Sequence, residues 1–234
     1  MRSYRYFDLI MAAFVAVLLI SNVASSAKIV DWGVSLFGLR LSFDAGTLLF
    51  PLSYIFGDIL TEVYGYGRSR KVIWTGFVAA LLMSLCFLVI QKLPGEATWQ
   101  SYAGDNAYAA ILGGVSSGGI IVASILGYFL GEFSNSYVLA KMKVWTAGKW
   151  LWTRTIGSTI VGEGVDTVVF MTVACLFGVF PWSIALSLIV ANYIFKVGIE
   201  AIFTPATYKI VGFLKRAENE DYYDCDTNFN PFKL

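Results

Sequence analysis

The chain has 234 residues, of which 57% are hydrophobic and 14% charged, and its mean hydropathy is +0.68. A soluble domain of this length needs more charge to cover its surface, so the composition predicts an integral membrane protein with one membrane domain. The net charge of +1 gives no indication of nucleic-acid binding, and the absence of histidine excludes Ser-His catalysis and HExxH zinc chemistry. The three cysteines form no CxxC pair, so neither a metal site nor a cofactor is predicted.

Six apolar stretches are long enough to cross a membrane, because about 20 helical residues cover a hydrocarbon core of about 30 Å. They are residues 7–28, 44–64, 72–91, 118–140, 155–179 and 183–208. The first stretch has no convincing signal-peptide cleavage region and is therefore predicted to be a spanning helix. Within the segment Gln91 to Ser117, residues 106–115 are predicted to form a short interfacial or re-entrant helix. The predicted fold class is an all-α integral membrane protein, a bundle of six transmembrane helices.

The basic residues of the connecting segments indicate the orientation. They concentrate before the first span and after the second, fourth and sixth: Arg2 and Arg5; Arg68, Arg70 and Lys71; Lys141, Lys143 and Lys149; Lys209, Lys215 and Arg216. The alternate connections hold Arg40 and Lys92. The positive-inside rule therefore places both termini in the cytoplasm, which an even number of spans requires. Residues 1–217 form the predicted transmembrane domain, and residues 218–234 a polar, mobile cytoplasmic C-terminal tail.

Charged and amide side chains recur inside or at the edge of the predicted spans, mostly at spacings of three or four residues. They are Asn22, Asp58, Glu62, Glu132, Asn135, Arg154, Glu163, Asp166, Asn192, Lys196 and Glu200. Such spacings place the members of one span on one helix face. Because a charge that faces lipid costs several kcal/mol, these faces are expected to converge inside the bundle.

Two interpretations of the buried charges remain open. In the first, they only hold helices together, and the natural pairs are Lys196 with Asp166 or Glu163 and Arg154 with Glu62 or Glu132. In the second, some carboxylates are protonated, hydrated or bound to a ligand, since the carboxylates outnumber the two cations. The excess of carboxylates favours a polar cavity.

Several short motifs follow one another along nearly the whole chain: SN at 21–22, DILTEVYGYGRSRK at 58–71, AS at 123–124, GE at 131–132 and 162–163, DT at 166–167 and NYxFK at 192–196. In this order they resemble the VUT (YhhQ-type) family of queuosine precursor transporters. The resemblance implies a multi-pass protein of the bacterial inner membrane that imports 7-cyano-7-deazaguanine or 7-aminomethyl-7-deazaguanine for queuosine salvage, without enzymatic activity. The family varies at Glu132, Asn135, Glu163 and Asn192, so the resemblance leaves the choice of ligand open.

The chemistry of such a ligand assigns roles to the polar residues. A deazaguanine presents N1–H and an exocyclic amine side by side, and one carboxylate can accept both hydrogen bonds; Glu163 or Asp166 is predicted to do so. One of Tyr54, Phe56 and Tyr128 is expected to stack on the flat ring. The predicted substrate-binding residues are Asn22, Asp58, Glu62, Glu132, Asn135, Glu163, Asp166, Asn192 and Lys196. Nearer the cytoplasm, the candidates for a gate or ion pair are Asp58, Glu62 and Arg154.

Two other functions fit the sequence. A substrate-binding subunit of an energy-coupling-factor importer is also a small six-helix binder. An intramembrane enzyme would use Asp58 and Asp166 as a carboxylate pair, but the chain lacks a GxGD motif. The expected partners are a small purine-like substrate and the lipid bilayer, with no nucleic acid. The sequence leaves open a homo-oligomer and the choice between proton coupling and facilitated diffusion.

Overall fold

The computed structural model describes residues 4–36 and 39–233 of the chain, and these residues are predominantly helical. The helices are α1 (Phe7–Ala27), α2 (Phe50–Tyr64), α3 (Tyr66–Gln91), α4 (Ala97–Tyr102), α5 (Gly104–Ser116), α6 (Gly118–Trp145), α7 (Leu151–Leu176) and α8 (Trp182–Glu218). Between α1 and α2 lie two antiparallel strands, β1 (Ile29–Leu36) and β2 (Leu39–Asp44), and a 3-10 turn (Ala45–Leu48). The sequence patterns did not indicate this hairpin.

Five helical runs among the described residues are long and apolar enough to cross a membrane. They are α1, α3, the run Gly104–Trp145 that contains α5 and α6, α7 and α8. The chain is therefore a multi-pass, all-α membrane protein. The segment predicted as the second span, residues 44–64, has a different form, because it begins with the strand end and the 3-10 turn. Its helix, α2, has only 15 residues, a length of about 22 Å.

Helix α2 lies at the centre of the bundle, in contact with α1, α3, α6 and α8. From Ile59 to Tyr64 every residue is buried, and Ile59, Leu60 and Val63 pack against Phe14 and Leu18 of α1. The apolar character of α2 thus reflects contact with protein, which a hydropathy window cannot distinguish from contact with lipid. Gly65 ends the helix with φ +84°, and a Cβ there would lie 2.2 Å from the ring of Tyr222.

Helices α6 and α7 cross closely because glycines line their contact. A Cβ on Gly131 would lie 2.6 Å from Tyr54 Oη, 2.7 Å from Asp166 Cβ and 3.0 Å from the carbonyl oxygen of Gly162. A Cβ on Gly162 would in turn lie 2.6 Å from Asn135 Cβ. Small residues at such positions let two backbones approach within a membrane. The approach brings the polar residues of the two helices to one level.

The segment between α3 and α6 forms two helices, of which α5 contains the residues predicted as a short helix. Helix α5 packs beside the ends of α1 and α3. Ser26 Oγ donates a hydrogen bond of 2.8 Å to the carbonyl oxygen of Ile111. Ser117 has extended backbone geometry and separates α5 from α6.

The polar C-terminal segment packs against the bundle, whereas the sequence predicts a mobile extension. The buried carboxylate of Asp224 accepts a hydrogen bond of 3.0 Å from the backbone N–H of Tyr66. Arg70 donates to the carbonyl oxygens of Asn228 and Asn230, at 3.0 and 2.8 Å. Trp74 Nε1 donates to the carbonyl oxygen of Pro231 at 2.9 Å. In the sequence Arg70 indicates only a basic connection and Trp74 only an apolar helix, so neither residue predicts a contact with the C-terminal segment.

The α6–α7 contact generates a stability prediction. Gly131→Ala is expected to destabilise the protein by about 1–3 kcal/mol, because the new methyl group forces two packed backbones apart. The matched control is Gly198→Ala in α8, where a Cβ would meet no atom within 4 Å. There the change is expected to be neutral or stabilising by up to about 1 kcal/mol, from helix propensity. Thermal unfolding of both variants in detergent checks this, and an equal melting temperature for the two would contradict it.

Candidate functional site

A cavity of about 200 Å³ opens between the helices at the end of the bundle that carries the hairpin. Residues from α1, α2, α3, α5, α6, α7 and α8 line it. The walls are largely aromatic and aliphatic, and the aromatic lining residues are Phe43, Phe50, Tyr54, Phe77, Tyr128, Phe170 and Phe180. Phe43 is fixed by stacking on Phe195 of α8, with ring centroids 5.1 Å apart. An apolar slot with few polar groups is typical of a small-molecule site.

An ion-pair triad forms the polar floor of this cavity. Lys196 Nζ lies 2.8 Å from Asp166 Oδ2 and 2.8 Å from Glu163 Oε2, which confirms both predicted pairings of this lysine. The side chain of Asp166 is 16% exposed and that of Glu163 is enclosed, so Asp166 faces the cavity and Glu163 lies behind it. The ammonium also lies 5.2 Å from the ring centroid of Phe50, within range of a cation–π contact.

Glu163 and three further buried acids, Asp58, Glu132 and Glu200, form a group behind the cavity that we call the carboxyl layer; Glu163 joins this layer to the ion-pair floor. All four side chains are fully enclosed. Asn135 Nδ2 donates to Asp58 Oδ1 at 2.7 Å, and Ser158 Oγ lies 3.5 Å from the same oxygen. Within residues 4–36 and 39–233, no hydrogen-bond donor reaches Asp58 Oδ2 or either oxygen of Glu132 and Glu200.

A second charged group, which we call the Glu62 cluster, closes the opposite end of the bundle. Arg154 donates to both oxygens of Glu62, from Nε at 2.7 Å and from Nη2 at 2.8 Å. Of the two predicted partners of Arg154, Glu62 is thus the one it binds. Lys215 Nζ lies 2.6 Å and Lys143 Nζ 3.6 Å from Glu62 Oε1. Glu62 is enclosed, and Arg154 and Lys143 are each 1% exposed. A bidentate guanidinium contact of this kind is among the stronger hydrogen-bonded pairs in proteins.

The C-terminal segment completes the Glu62 cluster. Asp221 Oδ1 lies 2.5 Å from Lys143 Nζ and 2.8 Å from Lys215 Nζ, and Lys143 also donates to the carbonyl oxygen of Tyr222. Partial burial alone would raise the pKa of Asp221, but the hydrogen bonds and charges of the two lysines outweigh it and hold the pKa below its usual value. The Asp221 carboxylate therefore stabilises the fold at pH values above the pKa that Asp221 has in the unfolded chain. This stabilisation is lost as the pH falls through the lower pKa of Asp221 in the folded protein.

The cavity floor and the Glu62 cluster lie at different depths in the bundle. Along α7, Arg154 and Asp166 are twelve residues apart, a rise of about 18 Å. The carboxyl layer lies between these two levels, at Ser158 and Glu163 of the same helix. From the hairpin end, the order is therefore cavity, ion-pair floor, carboxyl layer and Glu62 cluster.

The structure divides the sequence-predicted site residues into three groups. Lining the cavity are Asn22, Asp166, Asn192 and Lys196. Buried behind it are Asp58, Glu132, Asn135 and Glu163. In the cluster at the other end are Glu62 and Arg154. Of the three gate candidates, Asp58 contacts an amide and a hydroxyl and does not join the Glu62 cluster.

Some residues of these groups carried no signal in the sequence. Of the three aromatic candidates for stacking, Tyr54 and Tyr128 line the cavity and Phe56 does not. The missed aromatic residues are Phe50, Phe77 and Phe170, which resemble any other apolar residue of a span, and Phe43 and Phe180, which lie in connections between helices. The roles of Lys143 and Lys215 were missed because α6 and α8 continue to Trp145 and Glu218, past the predicted ends of their spans. Asp221 was missed because it lies in the segment predicted to be a mobile tail.

Comparisons with known proteins give a consistent result. A family model described as "Putative vitamin uptake transporter" matches residues 44–210. The chain is 28% identical to the "Probable queuosine precursor transporter" of Bacillus subtilis (strain 168) over 176 residues, which are 75% of this chain and 73% of the relative. It is 24% identical to the "Queuosine precursor transporter" of Escherichia coli (strain K12) over 194 residues, 81% of this chain and 80% of the relative.

A third relative, the "Probable queuosine precursor transporter" of Haemophilus influenzae, is 25% identical over 174 residues, 71% of this chain and 67% of the relative. No solved structure matches the chain significantly. The family match covers well over half of the chain, including α2, α3, α6, α7 and most of α8, which hold the cavity floor and the carboxyl layer. The family resemblance seen in the motifs is confirmed, and the chain belongs to the VUT family of uptake transporters.

Proposed function

We propose that this protein imports a queuosine precursor, 7-cyano-7-deazaguanine or 7-aminomethyl-7-deazaguanine, through the bacterial inner membrane. Support comes from three relatives that are named for transport of a queuosine precursor. The observation that carries the proposal is the Asp166–Lys196 pair at the floor of an aromatic-lined cavity. A flat heterocycle with a donor edge and a carbonyl group suits such a site.

The chemistry of the floor matches the polar edge of a deazaguanine. The N1–H and the exocyclic amine donate to the Asp166 carboxylate, and Lys196 donates to the neighbouring carbonyl oxygen. Tyr54 and Tyr128 of the cavity wall provide faces for the ring. An aminomethyl substituent would add a cation, which a site with an excess of carboxylates accepts. Glu163 keeps Lys196 paired when the ligand occupies Asp166.

The arrangement of the charged groups suggests how passage is gated. The cavity opens at the hairpin end, and the Glu62 cluster seals the end at which α6 and α8 carry their basic residues. In this proposal α2 is the second of six membrane segments, residues 1–217 form the transport domain, and both termini lie in the cytoplasm. The structure then corresponds to a state that receives cargo from outside, with the cytoplasmic exit closed.

The direct test is uptake by cells that cannot make the precursor. Expression of this chain should restore queuosine in their tRNA when either precursor is supplied. Failure to restore it, with the protein present in the membrane, would overturn the substrate assignment. Transport by the purified chain alone in liposomes separates this function from that of a binding subunit that needs an energy-coupling partner.

The assignment of the donor edge predicts the effect of Asp166→Asn. We expect precursor affinity to fall about 10–100-fold, because a charge-assisted hydrogen-bond pair becomes an amide contact. The fold should survive, since Lys196 retains Glu163. Asp105→Asn, the same chemical change in the exposed part of α5, is the control and should bind as the wild type does. Equilibrium binding of labelled precursor measures the affinity. If Glu163→Gln loses affinity and Asp166→Asn does not, Glu163 is the carboxylate that accepts the donor edge.

The gating proposal predicts that Glu62→Gln damages stability and transport together. Removing this carboxylate leaves Arg154, Lys143 and Lys215 close together without their shared anion, and breaking a buried pair costs about 3–5 kcal/mol. Precursor binding should persist, because the cavity floor is about 18 Å away along α7. Lys215→Met removes the most exposed of the three cations and should have a smaller effect. Thermal unfolding and liposome uptake measure the two effects; wild-type uptake by Glu62→Gln would contradict the gating role, and an unchanged melting temperature would contradict the stabilising role of the cluster.

The proposed topology predicts which side of the membrane exposes Cys225. This thiol is exposed in the C-terminal segment, while Cys175 is buried. A membrane-impermeant thiol reagent should label inside-out vesicles and fail to label right-side-out ones. Cys225→Ser should abolish the label, which controls for Cys86 on the apolar surface of α3. Labelling from the outside would contradict a cytoplasmic C-terminus.

A further inference from the structure

Glu132, like Glu200, is a member of the carboxyl layer that has no hydrogen-bond donor among the described residues. Its side chain is fully enclosed, and neither of its oxygens has a hydrogen-bond donor within the described ranges of the chain. Helix α2 approaches it closely, since a Cβ on Gly57 would lie 3.0 Å from Glu132 Oε2. An ionised carboxylate without donors is strongly disfavoured in such a place, whereas a protonated carboxyl is neutral. The geometry therefore favours a bound proton.

The charges around Glu132 come from every element that holds the carboxyl layer. Its titratable neighbours are Tyr54 and Asp58 of α2, Tyr128 of α6, Glu163 and Asp166 of α7 and Lys196 of α8. On α3, Arg70 is bound to the C-terminal segment instead. Lys196 is thus the one cation among the described residues that acts on Glu132. It is shared with Glu163 and Asp166, so the layer holds more acids than it can keep ionised.

Glu132 and Glu200 differ in what acts on them. Glu132 interacts with Asp166 and Lys196, the two residues proposed to bind the cargo. Glu200 interacts with Asp58 and Glu163, which do not line the cavity. A ligand at the cavity floor therefore changes the surroundings of Glu132 directly and those of Glu200 only through Glu163.

We propose that Glu132 is a proton-binding site whose occupancy is coupled to cargo at the Asp166–Lys196 pair. The inference rests on the proposed transport function. A proton from the outer side occupies Glu132 while Lys196 is held by Asp166. Cargo that binds Asp166 withdraws one of the two carboxylates that neutralise Lys196, so the charge of the ammonium, still paired with Glu163, acts more strongly on Glu132 and stabilises its carboxylate. The O–H bond of Glu132 then breaks, and the proton leaves toward the cytoplasm in the same cycle as the cargo. Glu200 keeps its proton throughout.

The test uses full-length protein in liposomes and labelled 7-cyano-7-deazaguanine. The readout is the ratio of uptake with an inside-alkaline pH gradient to uptake without it, together with proton uptake reported by a trapped dye. One proton per cargo molecule supports accumulation of up to about tenfold per unit of pH difference. The wild-type ratio should therefore clearly exceed unity. A wild-type ratio of unity, without proton movement on addition of cargo, would overturn the inference.

Three variants separate a coupling role from a structural one. Glu132→Gln should reduce the ratio to about unity, whatever its absolute rate, because the amide cannot exchange a proton. Glu132→Asp keeps a titratable group and should restore part of the gradient response. Glu200→Gln should keep the wild-type ratio. A wild-type ratio in Glu132→Gln would overturn the role of Glu132.

The proton site and the proposed function fail in distinguishable ways. Counterflow exchange of the precursor by the wild type, measured without any gradient, tests transport itself. Absence of exchange would overturn the proposed function, and the inference with it. Exchange that responds to no gradient would overturn the proton site alone and leave the transport function in place.

Discussion

A charge inside a membrane helix must find a partner within the protein, and this constraint governs the arrangement of the bundle. Helix α2 carries Asp58 and Glu62 on a segment too short to be one of the long apolar helices. It is therefore enclosed by longer helices, which supply Arg154, Lys143 and Lys215 at one end and Asn135 and Ser158 further along. The apolar surfaces of those outer helices are then left to meet lipid. The burial of α2 and the lipid exposure of its neighbours thus both follow from the need of Asp58 and Glu62 for partners within the protein.

The close crossing of α6 and α7 gives the site its geometry. With glycine at 127, 131 and 162, the two backbones approach until Asp166 lies against α6 and Tyr54 of α2 fits beside the crossing. A bulkier contact would separate the acid that faces the cavity from Glu132 on α6. The same small residues therefore serve helix packing and set the geometry of the candidate site. Lys196 of α8, which pairs with Glu163 and Asp166 of α7, then also lies close enough to act on Glu132 of α6.

Sequence reasoning identified the membrane class, the family and most of the buried charges, because each of these leaves a local mark. Hydropathy marks the long helices, and spacing marks the polar faces. The pairings of Lys196 and Arg154 followed from the rule that buried charges need partners. Other features depend on contacts distant in sequence, which no local pattern encodes. The enclosed position of α2, the hairpin, the aromatic wall from Phe43 to Phe180, and the roles of Lys143 and Asp221 all belong to this second kind.

The C-terminal segment binds a surface that no single helix provides. Asp221 follows α8, and it brings a second carboxylate to a cluster in which Glu62 otherwise faces Arg154, Lys143 and Lys215. Its two lysine partners come from α6 and α8, and the other contacts of residues 219–233 include Tyr66, Arg70 and Trp74 of α3. The segment can therefore dock only after these three helices have packed together, which makes its docking a late step of folding that then holds this end of the bundle closed.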